Sequence, residues 1–204
     1  MGRPTPLIIV DATAVTPQPW RNGGGQTREL LTWPTGGDWK LRISRADIEC
    51  DGPFSVFAQV QRWFTVIHGA GVVLVFADGE RTLRCGDEPL CFDGGQAPGC
   101  RLLGGPTQDL NLMAREGSAV MRRAESGRRW DEPLAWRGLY TAVPGSWSNS
   151  SGQQWLAAQT LLWADDAIGS AWFFTPTDAQ SLPQAWWLGY TGNTTQSGCN
   201  DENP

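Results

Sequence analysis

No stretch of this chain keeps a 3.6-residue apolar period over helical length, and glycine and proline interrupt it throughout. Turn signals stand at Asp51-Gly52-Pro53, His68-Gly69-Ala70-Gly71, Asp78-Gly79, Gly94-Gly95, Pro98-Gly99 and Gly104-Gly105-Pro106. Short β-prone runs lie between them, with the first at 7–10 and others at 27–32, 39–48, 61–67, 72–76, 81–84, 101–103 and 109–114. Further runs at 119–123, 134–143, 155–163, 171–175 and 185–190 continue the pattern, with 144–152 reading as a loop. Strands this short, at roughly 8–12-residue spacing, predict an all-β sandwich or barrel. His68 to Gly71 and Asp78-Gly79 read as hairpin turns.

At 204 residues the chain can hold one large or two small domains. Twelve tryptophans predict large aromatic bodies in a core or cleft, with indole N–H groups that need partners. Those of the second half, from Trp136 to Trp187, read either as core or as an exposed patch that could form a homodimer. A net charge of −5 argues against nucleic acid as partner. No apolar run reaches membrane-spanning length, so no membrane partner is expected. The first ten residues lack a secretory pattern, and five cysteines form no CxxC pair, which predicts reduced thiols in the cytoplasm. With His68 the sole histidine, neither a metal nor another cofactor is expected, and His68 reads as a solvated turn residue.

The stretch from Trp20 to Leu30 is the leading site candidate. Its three glycines, Gly23, Gly24 and Gly25, permit positive φ or close backbone approach. With Asn22 they form either a backbone nest for anionic oxygens or a tight structural turn. In the strand that follows, Gln26 and Arg28 share one face while Thr27 and Glu29 share the other, and alternation alone leaves open which pair faces inward. Arg42 and Ser44 likewise oppose Leu41 and Ile43, so Arg42 is either a pocket residue or a solvated one. An inward Arg28 or Arg42 would favour a carboxylate-bearing ligand. Trp20 would give such a pocket an apolar wall, and Asn111 a polar group on a later strand beside Met113, which reads as core. Glu29, Asp47 and Asp109 are carboxylates near these positions, but no nucleophile motif accompanies them and no catalytic residue is assigned.

Trp20-Arg-Asn-Gly-Gly-Gly-Gln-Thr-Arg-Glu29 resembles the signature of the HutD/Ves family. Leu41-Arg-Ile-Ser-Arg-Ala46, Asp51-Gly-Pro-Phe-Ser55 with Arg62, Ile67-His-Gly-Ala-Gly71, Phe92-Asp-Gly94 and Asp109-Leu-Asn-Leu-Met113 follow in the family's order. Leu41 stands where the family strand has tryptophan. The resemblance spans roughly residues 7–117 and is sparse beyond about 125. It implies a bicupin of two jelly-roll barrels in one chain, at 1–117 and 118–192, with a tail at 193–204; early strands of such folds can join the second barrel. It also implies a small acid of histidine breakdown, formylglutamate or urocanate, as ligand, and a role in moderating that pathway. A metal-independent isomerase or hydrolase acting on a small acid or sugar is the alternative. The family match turns Asn22, the glycines, Arg42 and Ser44 toward the pocket reading, beside Trp20, Thr27, Arg28, Glu29 and Asn111.

Overall fold

A computed structural model describes residues 7–35, 38–164, 170–178 and 184–192; the tail expected at 193–204 lies outside the described residues. The described residues are all-β, with eighteen strands and one 3-10 turn at Gly94–Gln96 among them. The first half supplies β1 (Ile8–Asp11), β2 (Gln18–Pro19), β3 (Gly25–Trp33), β4 (Leu41–Ile48), β5 (Gly52–Pro53) and β6 (Gln61–His68). It continues with β7 (Val72–Phe76), β8 (Gly79–Leu83), β9 (Leu90–Asp93), β10 (Gly99–Leu102) and β11 (Thr107–Ala114). The second half supplies β12 (Ser118–Arg123), β13 (Trp136–Thr141), β14 (Gly145–Asn149), β15 (Gly152–Leu156), β16 (Thr160–Ala164), β17 (Phe173–Pro176) and β18 (Ala185–Thr191).

Period-2 alternation builds four layers from these strands. A six-stranded sheet, β2-β3-β4-β11-β6-β9, lies against a five-stranded sheet, β1-β16-β13-β18-β12. Leu41 and Ile43 of β4 and Leu110 and Leu112 of β11 meet Trp136 and Tyr140 of β13 and Trp186 and Leu188 of β18 between them. The outer face of the six-stranded sheet is covered by β5-β10-β7-β8, through Phe64, Val66, Val72, Leu74 and Cys100. The outer face of the five-stranded sheet is covered by β15-β14-β17, through Leu139, Trp147, Leu162, Phe174 and Trp187. Strand β1 pairs with β16, so the start of the chain joins the sheet formed by its second half.

The tryptophans of the second half are mostly core. Trp136, Trp147, Trp172, Trp186 and Trp187 are buried, while Trp155 alone of the large second-half aromatics is 61% exposed among the described residues. Trp130 stacks on Trp187 with centroids 5.0 Å apart, and Trp147 meets Trp172 edge-on at 5.0 Å. The guanidinium of Arg137 lies 4.7 Å from the Trp172 ring centroid. The partners expected for the indole N–H groups are found for Trp20 and Trp63 only in part of the set: those of Trp136, Trp147, Trp172 and Trp186 have none among the described residues.

Three local expectations are corrected. Residues 145–156 form a hairpin and not a loop, because Trp147 and Leu156 anchor an otherwise polar ribbon. The single strand expected at 155–163 is two, broken where Gln159 adopts φ +60°. His68 to Gly71 is a crossing from the six-stranded to the four-stranded sheet and not a hairpin, since β6 pairs with β9 and β11 while β7 pairs with β8 and β10. The hairpin at Asp78 is as expected, with Phe76 facing Gly79. No helix among the described residues is long and apolar enough to cross a membrane.

Removing Trp172 empties the centre of the outer aromatic core. Trp172→Ala is expected to lower unfolding free energy by about 3–5 kcal/mol, whereas Trp155→Ala should change it by less than about 0.5 kcal/mol. Urea denaturation followed by circular dichroism distinguishes the two.

Candidate ligand-binding site

On the outer face of the six-stranded sheet, bounded by the Trp20–Asn22 turn and the segment that follows β5, lies an open pocket of about 560 Å³. Strand register sets its floor. Thr27, Ala46 and Asp109 form one cross-strand row, then Glu29, Ser44 and Asn111. Arg42, Met113 and Arg62 form the third. All point away from the Leu41/Ile43 face because side chains alternate along each strand. Trp20, Phe54 and Phe57 wall the pocket, and the indole N–H of Trp20 donates to Thr27 Oγ1 at 2.7 Å.

The polar floor is an ordered relay. Arg62 is almost fully buried, its guanidinium 4.3 Å from the Phe54 ring centroid. Its Nε donates to Asn111 Oδ1 at 2.8 Å, and Asn111 Nδ2 donates onward to Asp109 Oδ1. The two terminal nitrogens of Arg62 have no hydrogen-bond partner among the described residues, so its fork stays available to a planar anion. Arg42 Nε donates to Glu29 at 2.9 Å, which holds the second guanidinium beside the pocket. Arg21 lines the mouth from an exposed position.

Burial governs the titration of this floor. Asp109 is 1% exposed, and desolvation pushes its carboxyl up to about 7 against the pull of Arg62 and Asn111. Desolvation likewise lowers Arg62, to about 10, while Asp109 opposes that shift. A carboxyl of this kind can act as an acid, a base or a neutral donor near physiological pH.

The sequence-derived candidates divide between two faces. Trp20, Asn22, Thr27, Arg42, Ser44 and Asn111 line the pocket. Glu29 reaches it through Arg42. Arg28 does not: with Gln26 it lies on the opposite face, where both donate to Asp47 Oδ2, at 2.5 Å and 2.9 Å. Arg45 and Gln108 donate to the other oxygen of Asp47 at 2.9 Å and 2.8 Å. Arg45 also reaches Gln159, which accepts from Tyr140, and so links the two central sheets. Desolvation raises the Asp47 carboxyl, but its donors outweigh that and hold it below the usual value.

The glycine turn serves geometry. Gly24 N–H donates to Asn22 Oδ1 at 3.0 Å and Gly23 N–H to the Trp20 carbonyl at 3.0 Å, so two of the nest amides are already used. Gly23 has φ +70°, and a Cβ on Gly25 would stand 2.2 Å from the Asp47 carbonyl oxygen. Met113, read as core, is buried and also lines the pocket. Arg62 and Asp109 were not among the sequence-derived site residues. A signal was available for Asp109, which shares its strand face with Asn111; Arg62 lies on β6 and joins the floor only through its cross-strand pairing with Met113. His68 is exposed at the end of β6, and no cluster of metal-ligating side chains occurs among the described residues.

The HutD family model matches residues 12–174. Protein Ves of Cronobacter sakazakii is 30% identical over 129 residues, covering 63% of this chain and 71% of that protein. An uncharacterized 21.2 kDa protein from the hutC 3′ region of Pseudomonas putida is 42% identical over 112 residues, covering 52% of this chain and 57% of its own length. The structure of HutD from Pseudomonas fluorescens superposes with a TM-score of 0.78 at 27% identity, covering 92% of this chain and 99% of that one. Oxalate decarboxylase of Bacillus subtilis shares the cupin-like fold alone, with a TM-score of 0.61 at 10% identity over 94% of this chain and 78% of its own.

Gly25→Ala is expected to lower stability by about 1–3 kcal/mol, because the clash is with backbone, and Gly24→Ala by less; thermal unfolding of both variants checks this. The unfolded Asp109 carboxyl titrates near 3.9, below its folded value of about 7. Between those values the folded state holds an extra proton, so its contribution to stability is lost as pH rises from about 4 to about 7. Asp109→Asn should therefore raise the melting temperature at about pH 8, by about 2 °C or more, and raise it less at about pH 5.

Proposed function

The chain belongs to the HutD family, and on that footing we propose that it is a non-enzymatic cytoplasmic binding protein for a small carboxylate of histidine breakdown. The ligand is formylglutamate or urocanate, and binding serves to moderate histidine catabolism. The observation that carries this reading is the convergence of Arg42 and the open fork of Arg62 in one aromatic-walled pocket. Guanidinium forks match planar carboxylates, and burial strengthens each charge-assisted hydrogen bond. The relative from the hutC 3′ region and the likeness to a protein called HutD support the metabolic setting. The ligand stays on the floor of the first of two jelly-roll units, 1–117 and 118–192, in a bicupin whose β1 joins the second unit and whose second unit is filled by tryptophan.

One observation favours the alternative of a metal-independent enzyme acting on a small acid. A carboxyl near 7 in a pocket has the range required of a general acid or base. Proton NMR of formylglutamate incubated with the protein decides between the two: unchanged substrate at stoichiometric binding supports the binding protein, and turnover supports the enzyme.

Calorimetry with formylglutamate and urocanate tests the binding reading, and no heat at about millimolar concentration, a weak binding energy of about −4 kcal/mol, would overturn it. Arg62→Gln should weaken binding by about 10- to 100-fold, the loss of a charged hydrogen bond worth roughly 1.5–3 kcal/mol.

A further inference from the structure

We propose that this pocket binds its anion together with a proton, and that Asp109 is the specificity-determining residue that takes the proton up. The inference rests on the reading of the pocket as a carboxylate site and adds the protonation state in which that site works.

Asp109 lies on the pocket floor, almost fully buried at the base of the cavity. One of its oxygens accepts from Asn111, and the other has no hydrogen-bond partner among the described residues. Its nearest compensating charge is Arg62, which reaches it through the Asn111 amide and not by a direct ion pair. Around it stand Ser44 and Ala46 of β4, Arg42 farther along that strand, and the Cys100 thiol of β10, whose own titration is pushed up to about 12 by burial. Behind the sheet, Asp47 raises the Asp109 carboxyl and Arg45 lowers it. Arg62 is thus the principal group that favours ionised Asp109 from within the pocket.

An anion seated on the Arg62 fork cancels that support. It places a second negative charge in a low-dielectric space already holding Asp109, and two carboxylates that share such a site do not both stay ionised. The bound state therefore prefers the neutral acid, whose O–H is free to donate to an acceptor on the ligand. A compact anion with an acceptor at its far end, such as a carbonyl or second carboxylate, uses both halves of the floor. By linkage, the affinity falls as pH rises above the free-state value of Asp109, because binding then requires a proton from solution.

Formylglutamate suits the test because its carboxylates titrate well below this window and its formamide does not titrate. Calorimetry of the wild-type protein in buffers of different ionisation enthalpy should show uptake of about one proton at about pH 8, with affinity falling towards tenfold per pH unit above about 7. Asp109→Asn should bind with an affinity that does not vary over that range. Carboxyl carbon-13 NMR of the ligand-free protein, with Asp109 assigned by its absence in the variant, should show titration near neutrality and a further upward shift with ligand. Wild-type binding without proton uptake, or a slope retained by Asp109→Asn, overturns the proposal. Should formylglutamate not bind at all, the carboxylate-binding reading above fails separately, and Asp109 titrating in the ordinary carboxylate range in the ligand-free protein overturns the present proposal on its own.

Discussion

A sheet covered on both faces has no side that faces water, and this constraint shapes the six-stranded sheet at the centre of the protein. Every polar side chain on it must find a partner or line a cavity, because an unpaired buried polar group costs about 1–3 kcal/mol. Strand β4 meets the requirement in two ways at once. Leu41, Ile43, Arg45 and Asp47 face the second central sheet, and Arg42, Ser44 and Ala46 face the pocket. On the first face Asp47 accepts from four side chains, a carboxylate with little capacity left. On the second the Arg62–Asn111–Asp109 relay leaves a guanidinium fork and a carboxyl oxygen without hydrogen-bond partners among the described residues. The same residue types thus tie sheets together on one face and remain available to a ligand on the other.

The two outer layers repeat the contrast on a larger scale. Each central sheet has a small sheet over its outer face, yet the two interiors are filled differently. Trp130, Trp147, Trp172 and Trp187 crowd the second around Arg137, with ring centroids 5.0–6.3 Å apart. The first has smaller residues and phenylalanines at the corresponding depth, and a pocket of about 560 Å³ remains. Aromatic bulk explains why the tryptophan load lies in the second half and is not evidence of an exposed binding face.

Much of the architecture was legible from local signals. Turn residues and β-prone runs locate most strands, because these depend on neighbouring residues. The failures occurred where tertiary contacts override local chemistry. The Ser/Asn/Gln-rich ribbon at 145–156 pairs because Trp147 and Leu156 bury its inner edge. The turn after His68 looks like a hairpin, but whether consecutive strands pair or change sheets depends on distant partners. Most pocket residues lie on the strands the motifs indicate; parity with Asn111 places Asp109 beside them, whereas Arg62 joins them only through the cross-strand pairing of β6 with β11, which local sequence does not reveal.

The sequence by itself determined the all-β class, the family motifs and the parity rule that separates Thr27 from Arg28 and Arg42 from Ile43. Those properties follow from backbone geometry, which alternates side chains whatever the surroundings. Only the tertiary structure decided which parity is pocket and which is interface. Arg28 goes to the interface because Asp47 waits there with Arg45 and Gln108, while Thr27 turns to the pocket and accepts from Trp20. The physical reason is that face choice is cooperative across strands: β11 pairs with β4 in one continuous register and β3 pairs with it through a bulge between Glu29 and Leu31, so the apolar contacts of Leu41, Ile43, Leu110 and Leu112 fix the opposite face of β4 and β11 toward the pocket.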